Sequence, residues 1–170
     1  MKAGKAAGII GIAMLIAGCA KADSVADYEA PDTSKLVDFS DWGTSGKLQF
    51  RIVKVEELKS LAVVNGEEKA PRAMRFFVVT LDVMSYDLGK GVIDFPARVS
   101  LVDETGLAYK PNSERFTRLN ASPPQVNIDA GQFIERKIAF LVPKEYEPAA
   151  LRCMGAEDAK PSLFALSRSL

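Results

Sequence analysis

From Gly46 onward, apolar and polar residues take turns along the chain. Leu48, Phe50 and Ile52 alternate with Lys47, Gln49 and Arg51. A period of two is the signature of a strand with one buried face. The phase then slips, so that Val53 and Val55 carry the apolar series. Such a slip predicts a bulge or a crossing at a sheet edge. The next run is richer in β-branched and aromatic residues, with Phe77, Val79, Leu81 and Val83 on one face and Phe76, Val78, Thr80 and Asp82 on the other. Apolar residues on both faces predict a central strand. A third strand is predicted over 98–102, followed by the turn Asp103-Glu104-Thr105-Gly106 and a return through Leu107 and Tyr109. Ile138, Phe140 and Val142 face away from Glu135 and Lys137 in a strand over 134–142. Pro143 ends it, because proline has no N–H for the ladder. Shorter strands are predicted over 151–154 and 163–166. Helix is weakly signalled: residues 55–64 have room for a turn or two before Asn65-Gly66 breaks the run, and residues 115–119 suit a short strand or a 3₁₀ turn. About seven short strands predict an all-β, antiparallel sandwich.

The first nineteen residues follow another pattern. Lys2 and Lys5 precede an uncharged, mostly apolar run of twelve residues, Ala6 to Ala17. That run suits a signal peptide and is too short to span a bilayer. It ends in Ile16-Ala17-Gly18-Cys19, which resembles the bacterial lipobox. The resemblance implies a signal peptide of residues 1–18, cleavage between Gly18 and Cys19, and acylation of Cys19. Each buried methylene contributes about 0.8 kcal/mol, so several chains anchor firmly where one would not. The expected location is the cell envelope, on a lipid bilayer. Ala20 in place of Asp after the cysteine points to the outer membrane rather than the inner.

Residues 20–45 hold six acidic side chains against Lys21 and Lys35, with little apolar periodicity. They predict a flexible acidic tether, loosest over 20–35. Residues 19–45 thus form a lipidated, acidic N-terminus, and 46–170 the sandwich. Near the tether's end, Phe39 and Trp42 either pin it to the domain or stand out as an aromatic handle.

Loss of residues 1–18 leaves 152, a usual size for one domain. It also leaves 20 basic against 22 acidic side chains, a net charge near −2 that gives no reason to expect nucleic acid. The chain has no histidine. The usual general base, the Ser-His and Cys-His pairs and the commonest transition-metal ligand are therefore missing. No glycine-rich loop has phosphate-binding spacing. No twelve-residue calcium loop is present. Asp103 and Glu104 are neighbours and suit a turn better than a carboxylate pair. No enzyme activity, no cofactor and no metal site is expected. If Cys19 carries lipid, Cys153 has no intramolecular disulfide partner; it is expected as a small buried side chain, the alternative being a reactive thiol.

The stretch from Gly46 to about Gly155 resembles the telokin-like, immunoglobulin-like domain of unknown function found in many bacterial lipoproteins. The resemblance rests on Leu48–Val55, Phe77-Val78-Val79 with Leu81 and Val83, Leu101, Asp103, Gly106, Tyr109, Ala130-Gly131, Phe140-Leu141-Val142-Pro143 and Leu151. Ser85 departs from it, standing where asparagine is frequent. It implies an immunoglobulin-like sandwich that binds or supports something outside the cytoplasm, and it brings no catalytic residues. Gly106 and Gly131 are expected at positive φ. Tyr109 is expected to bury its ring and give its hydroxyl to the backbone.

Loops on a rigid sandwich commonly carry recognition. The loop over 56–72 offers Leu58, Leu61, Val63 and Val64. The loop over 110–132 offers Arg115, Phe116 and Arg118, a mixture enriched at interfaces. These three are the expected contact with an envelope protein partner. The expected function is a non-catalytic interaction or structural module; the alternative is a small-ligand or cation-binding lipoprotein.

Overall fold

The computed structural model describes residues 23–86 and 91–166. The signal peptide, Gly18 and Cys19 lie outside the described residues. In chain order the strands are β1 (Val25–Asp27), β2 (Gly43–Ser45), β3 (Leu48–Leu58), β4 (Ser60–Val63), β5 (Gly66–Lys69), β6 (Met74–Ser85) and β7 (Gly91–Asp94). They continue with β8 (Val99–Asp103), β9 (Leu107–Tyr109), β10 (Gln125–Ile128), β11 (Phe133–Pro143), β12 (Pro148–Cys153) and β13 (Ser162–Ala165). Helix α1 spans Phe95–Arg98 and helix α2 spans Ser113–Asn120.

The expected antiparallel, immunoglobulin-like sandwich is the observed architecture. One sheet runs β1-β9-β8-β12-β13 and the other β11-β6-β3-β2. Every strand predicted from the alternation lies in these two sheets. Phe50, Ile52, Val79, Leu81, Val83, Leu101, Ile138, Phe140, Leu151 and Phe164 fill the space between them and are fully or almost fully buried. Each such side chain contributes about 1.5–3 kcal/mol of transfer free energy, so this layer drives the fold. The phase slip in β3 is a bulge. Its register against β6 shifts between Ile52 and Lys54, which turns Val53 outward and returns Val55 to the core.

One end of the sandwich is plugged. The β7–β10 pair inserts Ile93 and Ile128, and α1 adds Phe95, which stacks on Phe116 with ring centroids 5.1 Å apart. Asp94 caps α1 through the Ala97 amide. The outer face of β6 and β11 carries a second apolar cluster of Leu61, Phe76, Val78, Ala139 and Leu141. The β4–β5 hairpin and α2 cover it. Residues 55–64, offered as a possible helix, instead finish β3 and form β4. Asn65, at φ 67°, and Gly66 make the hairpin turn. Residues 115–119, expected as a strand or 3₁₀ turn, are α-helical. Asn112 caps α2 through the Arg115 amide, and Ala121 ends it in the left-handed conformation.

The flexible tether expected over 19–45 is corrected from Asp23 onward. Val25, Ala26 and Asp27 pair with Tyr109, Ala108 and Leu107. The chain then crosses the outer face of that sheet, where Arg152 stacks on the Tyr28 ring. It reaches the far edge at Val37, which bridges Phe164, and enters the second sheet as β2. These residues form a belt around the domain. Their acidic side chains point outward, which is why composition alone reads as solvated chain. Trp42 packs under Arg51 and edge-on to Phe133, while Phe39 is exposed.

The belt passes Gly106 at φ 95°, where a Cβ would run into the Tyr28 carbonyl. Tyr28 N donates to Gly106 O at 2.9 Å. Gly106→Ala is therefore expected to lose about 1–3 kcal/mol from backbone strain alone and to speed hydrogen exchange at the Tyr28 amide. Urea denaturation and exchange NMR check both.

Candidate functional site

The unplugged end of the sandwich opens into a cleft of about 1440 Å³. Its apolar surface comes from Val55 and Phe77 of one sheet, Leu107 and Tyr109 of the other, and Tyr146 and Leu166. Its polar side chains include the carboxylates Asp38, Glu57, Asp103, Glu104, Glu145 and Glu147, and no lysine or arginine lines it. Two of these carboxylates have structural work. Asp103 accepts from the Thr105 amide and hydroxyl and from the Leu107 amide, which fixes the β8–β9 turn. Glu57 pairs with Arg75 at 2.9 Å. The remaining four project negative charge over an apolar surface in a concave site, where a low-dielectric wall strengthens the field.

Tyr146 organises the cleft. Its hydroxyl donates within reach of the carbonyls of Leu101 and Leu107, both at 3.0 Å, and so clamps β8 to the end of the β8–β9 turn. Tyr109 packs edge-to-face on it with centroids 4.7 Å apart. The hydroxyl role expected of Tyr109 thus belongs to Tyr146. The sequence signal was the tyrosine three residues beyond the strand-ending Pro143, flanked by Glu145 and Glu147. Burial pushes the Tyr146 hydroxyl well above the ordinary tyrosine range, and Asp103 adds to the push.

Arg115, Phe116 and Arg118 are not an exposed partner surface. Arg115 is only 4% exposed and Phe116 1%. Helix α2 packs on β11 and turns both inward. Phe116 joins the main core. Arg115 Nη1 donates to Asp23 Oδ1 at 2.6 Å, its Nε donates to Glu68 at 2.9 Å, and its guanidinium lies 5.3 Å from the Phe76 ring centroid. Asp23 Oδ2 accepts from the Leu141 amide at 2.6 Å. Burial pushes the Asp23 carboxyl up, while Arg115 and the Leu141 amide pull against it. Arg118 is half-exposed and reaches Glu68 at 3.4 Å. The expectation failed because an arginine beside a phenylalanine is equally suited to an interface and to a buried ion pair. Asp23, its partner, stands 92 residues away in the chain.

Cys153 is fully buried, and burial drives its thiol far above the usual range. It is the expected inert core residue. Gly106 and Gly131 have the expected positive φ. Ser85, the departure noted in the sequence, is completely buried. Among the described residues, no three His, Cys, Asp or Glu side chains converge closely enough to hold a metal ion.

No family model and no curated protein matches the chain, so the telokin-like resemblance has no family-level match behind it. Solved structures are similar in fold. A conserved hypothetical protein from Bacillus anthracis superposes with a TM-score of 0.56 at 15% identity, covering 85% of this chain and 99% of that one. The yjhA protein from Bacillus subtilis gives 0.56 at 12% identity, over 76% and 98%. A Bacillus subtilis protein described as a "putative lipoprotein (ycdA)" gives 0.51 at 12% identity, over 75% of this chain and 39% of that longer one. At these identities the likeness shows the fold alone.

Two outcomes follow from the geometry. Arg115→Ala strands the buried Asp23 carboxylate and is expected to cost about 3–5 kcal/mol in urea denaturation, against less than about 1 kcal/mol for Arg118→Ala. Tyr146→Phe leaves the Leu101 and Leu107 carbonyls without their donor and is expected to cost about 1–3 kcal/mol at neutral pH. The folded state holds the Tyr146 proton more tightly than the unfolded chain does. Stability is therefore intact below about pH 10 and falls as pH rises above it. Tyr109 and Cys153, shifted the same way, add to that fall. The alkaline loss should be shallower in Tyr146→Phe than in the parent, as denaturation at about pH 8 and about pH 11 will measure.

Proposed function

We propose that the chain is a lipid-anchored envelope lipoprotein whose sandwich is a non-catalytic recognition module. Its acidic cleft is the docking site for a cationic stretch of another envelope protein that also carries apolar side chains. The observation that carries this reading is the cleft's composition. An apolar surface with Glu104, Glu145 and Glu147 around it and no basic lining residue complements alternating basic and apolar side chains. The motif at Gly18-Cys19 supports the anchor and Ala20 an outer-membrane address, and one fold neighbour bears a lipoprotein description. The absence of histidine supports the non-catalytic reading. A small ligand or a cation has less support. The cleft exceeds the roughly 300–1,000 Å³ usual for small-molecule pockets, and its carboxylates lie apart rather than converging.

The anchor is tested by intact mass of the protein isolated from its native membrane: an acylated chain beginning at Cys19 is expected, and any other first residue would overturn it. The cleft is tested with a short peptide alternating Lys and Phe, titrated into residues 23–170 by calorimetry. Binding that weakens as salt is raised is expected, and its loss in the Glu104→Lys, Glu145→Lys, Glu147→Lys triple variant. Unchanged binding in a folded triple variant would sink the assignment.

A further inference from the structure

Folding of the expected tether has a geometric consequence at the membrane. Asp23 is only 4% exposed and is held at three points: by Arg115, by the Leu141 amide, and by β1 immediately after it. Only residues 19–22 separate this fixed point from Cys19. A fully extended chain of four residues spans about 14 Å. A folded body of this chain length measures roughly 40 Å across. A leash so much shorter than the body cannot let it turn freely about its anchor.

We infer that the sandwich has a fixed membrane-facing side, formed by β1, α2 and the β4–β5 hairpin around Asp23, and that a phospholipid bilayer surface is its partner. The inference rests on the lipid anchor proposed above. The direction of the chain assigns the side. Residues entering at Asp23 come past Arg115 of α2, which is itself bonded to Glu68 of β5. Val64, in the hairpin turn, donates its amide to the Arg118 carbonyl and so lies beside the same helix. Val64 is 46% exposed and Val25, two residues beyond Asp23, is 55% exposed. Two solvent-facing valines thus flank the point of entry, and an interfacial location gives that apolar area a place to go. Glu157 lies on the opposite side, between β12 and β13, near where the β13 and β2 edges meet, with its side chain 93% exposed.

The test uses the acylated full-length protein in vesicles of phosphatidylethanolamine and phosphatidylglycerol. A fluorophore is attached at Val64→Cys, at Val25→Cys or at Glu157→Cys. Cys153 is buried and Cys19 is blocked by its lipid, so each variant has one reactive thiol. Quenching by headgroup-labelled nitroxide lipid is expected to be several-fold stronger at 64 and 25 than at 157. Insertion of about twelve Gly/Ser residues between Ala22 and Asp23 adds roughly 20 Å of reach and is expected to erase the difference. Equal quenching at all three positions in the unextended protein would overturn the orientation. A difference that survives the insertion would overturn the leash as its cause. Intact mass of the same preparation separates the failures. An unacylated Cys19 removes both the anchor and the orientation, whereas an acylated protein with equal quenching removes the orientation alone.

Discussion

The fold turns on the buried pairing of Asp23 with Arg115. Two charges taken out of water are costly, and their mutual attraction compensates only when the other donors and acceptors are also met. Here they largely are. The second Asp23 oxygen takes the Leu141 amide, the Arg115 Nε takes Glu68, and the guanidinium faces the Phe76 ring. One network therefore ties the beginning of the belt, the helix that seals the β11 edge, and the hairpin that covers the second apolar cluster. None of these three pieces buries enough apolar surface to hold its place alone. The core between the sheets supplies the bulk of the stability, and the ion pair specifies where the peripheral segments go.

The strands of the core were legible because period two and burial on one face are the same fact. The alternation of Leu48, Phe50 and Ile52, its slip at Val53 and its resumption at Val55 read directly as strand, bulge and strand. Pro143 and the Asp103-to-Gly106 turn were equally plain, since each is a local chemical constraint. The belt was not legible. Its strand is three residues long, too short for any period, and its acidic composition matches that of solvated chain. Helix α2 has only Phe116 and Leu119 as apolar side chains, so its helical period is nearly silent; its Asn112 cap is visible only once the helix is known. The site residues failed for a related reason. Arg115 was singled out for its chemistry, but its burial depends on a carboxylate far away in sequence. Tyr146 does what was expected of Tyr109 because the two rings share one pocket, and the alternation assigns neither hydroxyl a partner.

The two ends of the sandwich are unequal. At one end β7, β10 and α1 drive Ile93, Ile128 and Phe95 between the sheets. At the other, the space is bounded by tyrosines and carboxylates and stays open. The Tyr146 clamp makes this possible. It satisfies two backbone carbonyls that an unplugged end would otherwise leave to solvent, so the cleft keeps its shape without being filled. Rigid walls and unneutralised rim charge are what a surface needs to select a partner by electrostatics without reshaping itself.

Asn120, the last residue of α2, accepts from the Lys137 amide at 2.9 Å and donates to the Lys137 carbonyl at 2.8 Å. Its carboxamide thus plays the part of a neighbouring peptide group on β11, and the Asp23 carboxylate does the same two rungs along at Leu141. A sheet finished in this way offers a second molecule no vacant ladder on which to lay a strand. Side-by-side growth into fibrils is blocked at that margin by two side chains, even where many copies are crowded together.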